Sequence, residues 1–157
     1  GYGEITDDLH LHPADILDRM QPYTDAFAFL EETDVIVQLR NGMKVDFSMA
    51  EAIKPIETGI YQFPDEKWAR RVIGVFANRK ANEEPDQAHA VLVEKQGGDA
   101  YVASVRAPLN SDKSAAEFCQ QFPTGGGRVK AAGINALKKE QLTEFVDRFK
   151  AFFLKEV

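Results

Sequence analysis

Ten residues, Thr124 to Gly133, constrain this chain more than any others: Thr-Gly-Gly-Gly-Arg-Val-Lys-Ala-Ala-Gly. Three consecutive glycines, Gly125, Gly126 and Gly127, expose backbone N–H groups with no Cβ in the way, which is what a loop needs to approach an anion closely. Arg128 and Lys130 place positive charge beside that nest. Ala131, Ala132 and Gly133 are small enough to pack the segment tightly onto its neighbours. The expectation is a phosphate cradle built into a core, and the plainer alternative is a flexible connection between two elements.

Local charge favours the cradle. The chain carries 25 acids in 157 residues, yet none lies from Phe118 to Lys139, where about three or four would fall at random. Arg128, Lys130, Lys138 and Lys139 stand there instead. The net charge of −6 argues against a protein that coats duplex nucleic acid, because such binding needs many Lys and Arg contacts that release counterions. An anionic partner has to be met locally.

At this length the chain can bury one good core, so one principal domain is expected. Cys119 stands alone, which excludes an intrachain disulfide and fits a reducing cytoplasm. No apolar run approaches ~18 residues and no charged and apolar leader opens the chain, so neither a membrane span nor a signal peptide is expected. The start at Gly1 and Tyr2, without Met, reads as an excised fragment or a trimmed tag.

Along the chain, Asp7, Asp8, His10 and His12 are crowded together, but their spacing puts no two ligands one helical turn apart, and no metal site is expected. Pro13 suits the first position of a helix bearing Ile16, Leu17 and Met20, and Thr24 suits the cap of a second helix to Leu30. Residues 34–53 carry two patterns. Val35, Val37 and Leu39, then Asn41-Gly42, then Met43, Val45 and Phe47 spell a hairpin. Ile36, Leu39, Met43, Phe47, Ala50 and Ile53 spell a helical stripe that crosses the glycine, and one long helix capped by Thr33 is favoured because it also accounts for the Ala-rich tail. Pro55, Thr58 and Gly59 lead into a loop closing at Pro64. After it, Arg70 and Arg71 are expected exposed, with Val72, Ile73, Val75 and Phe76 in a buried strand and 78–84 a polar excursion. His89–Glu94 and Tyr101–Arg106 read as a hairpin turned by Gly97-Gly98, with Ser104 and Arg106 on one face. His89 reads as a structural strand-start histidine. A helix over 111–121 buries Ala115, Phe118 and Cys119; 132–135 is a short buried strand; Leu142, Phe145, Val146, Phe149, Phe152 and Phe153 mark an amphipathic core helix. The fold class is α/β (α+β): a small mixed β-sheet with helices packed on it, preceded by an N-terminal helical segment. Residues 1–63 form that mainly helical segment and 64–157 the sheet domain.

The order strand, Ser-x-Arg strand, helix, Gly-Gly-Gly-x-x-x-Ala-Ala-Gly and final helix resembles the C-terminal substrate-binding domain of the DHH phosphoesterase superfamily. Ser104 and Arg106 match the strand motif, Gly125, Gly126 and Gly127 the glycine run, and Ala131, Ala132 and Gly133 its close. Arg106 to Asn110 and the opening Gly1 to Glu4 with Asp8 to His10 are similar to a subgroup of uncharacterised members, some of them labelled acetyltransferases. The resemblance implies substrate binding at Ser104, Arg106, Gly125, Gly126, Gly127, Arg128, Lys130, Ala131, Ala132 and Gly133, with a phosphorylated small molecule or short oligonucleotide as partner. It implies no catalytic residue and no metal in this chain. Mn or Mg would belong to an N-terminal DHH catalytic domain of the same polypeptide, whose Asp-His-His set these residues do not supply, and homodimers are common in the family.

Most of that superfamily carries four glycines followed by His, whereas this chain has Thr124, three glycines and Arg128, so no histidine role carries over. Other chemistries fail on spacing. An acetyl-coenzyme A loop needs Gln or Arg, two residues, Gly, one residue, then Gly or Ala, and counted from Gln121 the glycine falls on Thr124. No Gly-Lys is followed by Ser or Thr, so no P-loop is present. Cys119 on an apolar helix face reads as an inert thiol. A single-stranded nucleic-acid-binding module stays open as an alternative, and it predicts affinity that rises with oligonucleotide length and falls with salt.

Overall fold

The computed structural model describes residues 5–154, so the Gly-Tyr-Gly-Glu part of the opening motif lies outside the described residues. Two short helices, α1 (Pro13–Met20) and α2 (Ala26–Glu32), precede the long α3 (Val35–Ala52). Then follow β1 (Ile60–Phe63), α4 (Lys67–Glu83), β2 (His89–Glu94), β3 (Ala100–Arg106), α5 (Ala115–Cys119), β4 (Gly125–Gly127), β5 (Ala131–Lys138) and α6 (Leu142–Phe149), which widens into a π turn through Leu154.

The strands form one mixed sheet in the order β1-β2-β3-β5-β4. β1 and β2 are parallel, joined by α4 as crossover, and the remaining pairs are antiparallel. Because side chains alternate across a strand, the registers sort residues onto two faces. Ile60, Ala90, Leu92, Tyr101, Ala103, Val105 and Ile134 meet α5 and α6 in one core. Tyr61, Phe63, Val91 and Val93 meet Trp68, Val72 and Phe76 of α4, backed by Phe47 and Ala50 of α3, in the other.

Long-range packing overrides several sequence expectations. Val72, Ile73, Val75 and Phe76 lie in helix α4, not in a buried strand, because Ala69, Val72 and Phe76 recur at helical spacing and lie on the sheet. Ile60–Phe63 is a strand where the sequence suggests a loop, since four residues suffice once β2 supplies the parallel partner. Arg70 and Arg71 are not exposed but inward and paired. Arg70 forks onto Asp8, Nε to Oδ2 and Nη2 to Oδ1, both at 2.9 Å, with Asp65 as a further acceptor. Arg71 forks onto Asp46 at 2.7 Å twice and donates to the Asp8 carbonyl at 2.6 Å. His10 Nε2 lies 2.8 Å from Asp46 Oδ2. Burial alone would raise the Asp46 carboxyl, but the Arg71 and His10 bonds outweigh it and hold its pKa below the ordinary value.

The helical reading of 34–53 holds, and Gly42 has a packing reason: a Cβ there would lie 2.5 Å from the His10 ring. The caps differ from expectation. Asp25, not Thr24, accepts from the Phe27 N–H at the start of α2. Thr33 closes α2 by donating its hydroxyl to the Phe29 carbonyl, while Asp34 is the N-cap position of α3. The helix expected over 111–121 shrinks to α5, capped by Ser114, whose Oγ accepts from the Glu117 N–H.

Candidate functional site

The glycine run is not a free cradle. Gly125–Gly127 is an edge strand paired with β5, and residues 128–131 close a tight hairpin through Arg128 N–H to Ala131 O at 2.9 Å and Ala131 N–H to Arg128 O at 3.2 Å. The Gly125 amide donates to the Phe122 carbonyl at 3.0 Å. Alternation along the ladder gives the Gly126 amide to β5 and turns the Gly127 N–H to the open edge.

Each glycine has its own reason. A Cβ on Gly125 would lie 1.7 Å from the Cys119 carbonyl oxygen, and one on Gly133 would lie 2.8 Å from the Ala103 oxygen. Gly127 has φ +145°, in the left-handed region that favours glycine, and a Cβ there would lie 2.5 Å from the Ala132 Cα. Gly126 alone of the run faces open space, with nothing within 4 Å.

No neighbour therefore requires the absence of a Cβ at Gly126. The register aligns Gly126, Gly133 and Ser104 in one row across β4, β5 and β3. This row lies on the face that α4 covers over β1, β2 and β3, so toward β5 and β4 the sheet continues as a shallow trough floored by Ser104, Gly133 and Gly126. Arg106, one row along and opposite Ala131, forms its wall. Arg106 is half-buried and donates to four acceptors: Asn78 Oδ1 at 2.7 Å, Ser104 Oγ at 2.9 Å, its neighbour's Val105 O at 3.0 Å and Gly74 O at 3.3 Å. All four are neutral. Burial first, and the positive charge of Arg128 second, pull the Arg106 pKa down from its ordinary value. The exposed Arg128 thus acts on Arg106 through its charge, and neither guanidinium has a carboxylate partner among the described residues. Arg70 and Arg71 make the contrast, each forked onto an aspartate.

Of the residues read from sequence, Ser104, Arg106, Gly126, Arg128, Ala131 and Gly133 converge on this trough, whereas Gly125, Gly127 and Ala132 turn toward the opposite face or the hairpin. Lys130 is turned away: its Nζ donates to the Pro108 carbonyl at 2.8 Å and to the Ser111 carbonyl, pinning the β3–α5 connection. Gly74 and Asn78 of α4 are not picked out by the sequence reading. Their signal is present, since a glycine interrupting an apolar run and a polar residue four positions later share one helix face, but only a helical reading of α4 reveals it.

Burial pushes the Cys119 thiol up to about 12, so it stays protonated, and the buried His89 is held below its ordinary pKa, first by desolvation. Asp8 and His10 are committed to the arginine and aspartate pairs described above, and among the described residues no three His, Cys, Asp or Glu gather as metal ligands. No helix of the described residues is long and apolar enough to cross a membrane.

The glycines give a direct test. Gly125→Ala is expected to cost about 1–3 kcal/mol or more of stability through its carbonyl clash. Gly126→Ala is expected to stay within about 0.5 kcal/mol of the parent in urea unfolding while weakening anion binding by placing a methyl on the trough floor. Equal destabilisation by both would refute the division of roles.

The fold and this open face define a small α+β lobe with an arginine-walled trough on a mixed sheet. The DHHA1 domain matches residues 56–155, and the chain belongs to that family, the DHH-associated domain of DHH phosphoesterases. No curated protein matches the sequence. Among solved structures, RecJ from Thermus thermophilus in complex with Mg2+ is similar over 94% of this chain and 24% of its own, with TM-score 0.59 and 21% identity. The pGpG-specific phosphodiesterase PggH from Vibrio cholerae is similar over 97% of this chain and 53% of its own, with TM-score 0.56 and 11% identity. An exopolyphosphatase-related protein from Bacteroides fragilis is similar over 77% of this chain and 38% of its own, with TM-score 0.52 and 15% identity. At these identities the likeness is one of fold, and the chain spans between about a quarter and a half of those proteins.

Proposed function

We propose that this chain is the substrate-holding part of a DHH-type phosphoesterase, and that Arg106 and Arg128 grip a phosphate of the substrate over the Gly126–Gly133–Ser104 floor. The observation that carries the reading is Arg106 itself, a half-buried cation with only neutral acceptors and a second cation beside it. Such a charge is left uncompensated until an anion arrives, and a guanidinium fork binds phosphate oxygens in pairs. The Ser104 hydroxyl adds a neutral donor at the same place. The glycines of the floor let a phosphate approach the sheet closely. Hydrolysis is assigned in this reading to a separate catalytic lobe carrying the metals, in keeping with membership of the DHHA1 family. The similar structures of an exonuclease RecJ and of a pGpG-specific phosphodiesterase favour a nucleotide-bearing phosphoester as substrate. The location that goes with this reading is the cytoplasm.

Calorimetric titration with a 5′-phosphorylated dithymidylate tests the grip. Arg106→Gln is expected to weaken binding by about 10- to 100-fold, the worth of charge-assisted hydrogen bonds, with the melting temperature little changed because every partner it loses is neutral. Unchanged affinity in a folded Arg106→Gln variant would remove the reading.

A further inference from the structure

An arginine carries five N–H donors in a rigid fork, and those of Arg106 are nearly all assigned. Nε donates to Asn78 Oδ1 at 2.7 Å, and Nη1 donates to Ser104 Oγ at 2.9 Å and to the Val105 carbonyl at 3.0 Å. Nη2 makes a single long bond, 3.3 Å to the Gly74 carbonyl. The guanidinium is thus clamped on its Nε and Nη1 sides, and its Nη2 end is the part left for a ligand. We infer that Asn78 is a positioning residue for Arg106: from α4 it fixes the guanidinium through a neutral acceptor, so that the group is held still while its charge remains unspent. The inference rests on the proposed grip and adds to it the residue that sets the grip's orientation and strength.

Three observations carry it. First, the arginines of α4 itself are treated differently. Arg70 and Arg71 are forked onto Asp8 and Asp46, whereas Arg106 receives the uncharged amide of the same size as aspartate, in a chain with 25 acids to choose from. For tying β3 to α4 an aspartate would serve as well or better, because a bond between charged partners is the stronger one. Asparagine is also a poor helix former, yet Asn78 stands inside α4. Second, the acids on this stretch of α4 and on the facing α3 are already claimed. Glu51 takes Arg79 at 2.7 Å, and Glu83 takes Lys80 at 2.8 Å with Arg79 at 3.9 Å. Third, His89 lies directly opposite Arg106 in the β2–β3 register and is fully buried. Desolvation first of all holds it below its ordinary pKa, so it adds no charge at neutral pH. Each neighbour that orients Arg106 is neutral, and Asn78 is the one whose nearest chemical relative would not be.

Two readouts on the 157-residue chain test this role: calorimetric titration with 5′-phosphorylated dithymidylate, and the Arg106 Nε–H signal in proton–nitrogen spectra without ligand, identified by its loss in Arg106→Gln. The signal is expected to exchange slowly with water in the parent and to collapse into rapid exchange in Asn78→Ala, with affinity weakened by about 3- to 10-fold. Asn78→Asp keeps the acceptor and the slow signal but sets a negative charge against the guanidinium. Its affinity is expected to fall about tenfold with no fall in melting temperature, since an added ion pair near the surface costs no stability. A bond that served packing alone would lose affinity only in step with melting temperature. Parent-like affinity in Asn78→Asp, a loss matched by a fall in melting temperature, or an Nε–H signal unchanged in Asn78→Ala each overturns the inference. The grip survives those results as long as Arg106→Gln still weakens binding. If the parent chain does not bind the dinucleotide, the grip and its positioning residue fall together.

Discussion

Replacing Asp8 by alanine is expected to cost this protein about 3–5 kcal/mol, as much as any change outside the aromatic core. Its carboxylate is fully buried and takes both prongs of the nearly buried Arg70, and its carbonyl takes a third bond from Arg71. The pair itself contributes little net stability, because desolvating two ions offsets most of their attraction. Removing one partner is different, since it leaves a buried guanidinium short of charge. Asp65 remains beside Arg70 and compensates in part, which places the expected loss toward the lower end. A guanidinium stays protonated even without that partner, so in the variant the cation cannot escape by losing its proton. Urea unfolding of Asp8→Ala measures the loss, and the double variant Asp8→Leu/Arg70→Met is expected to recover most of it. A loss below about 1 kcal/mol would mean that the segment before α1 is not docked on α4.

That pair also explains why part of the chain is legible in sequence and part is not. Asp8 and His10 stand out as a crowd of chemically able side chains, yet which partner claims them depends on Arg70, Arg71 and Asp46, 25 to 63 positions away from each other or from the opening. Spacing along a chain carries no such information. The β2–β3 hairpin and α6 are legible because their pattern is local: alternation around Gly97-Gly98, and phenylalanines at helical intervals. α4 reads wrongly as a strand because its apolar run, Val72 to Phe76, is short enough to suit one, and only the sheet beneath it selects the helical phase. The trough is half legible. Ser104, Arg106 and the glycines can be named from sequence, but their division of labour cannot. Gly125 serves the Cys119 carbonyl, Gly126 serves the open face, and Lys130 serves a neighbouring loop, and each assignment is fixed by atoms distant in sequence.

The aromatic cluster under β4 should be the most sensitive point of the molecule, and Phe118→Ala its clearest probe. α5 is a single five-residue helix, far too short to hold its own conformation, so its position comes from packing. Phe118 supplies that packing. Its fully buried ring meets those of Phe122, Phe145, Phe149, Phe152 and Phe153, with centroids 5.2–5.8 Å away. Truncation is expected to cost about 3–5 kcal/mol, from lost transfer energy and the cavity left behind. In a chain of this size that corresponds to a fall in melting temperature of about 10 °C. The effect should reach the trough as well, because Gly125 rests against the Cys119 carbonyl and bonds to the Phe122 carbonyl, both part of the turn that Phe118 anchors. Amide hydrogen exchange should therefore rise at Gly126 and Gly133 in Phe118→Ala before it rises in β2, whose partners lie on the α4 side of the sheet as well. Uniform acceleration across the whole sheet would instead mean that β4 and β5 unfold only with the domain as a whole, and that the glycine-rich edge is as firmly held as the core.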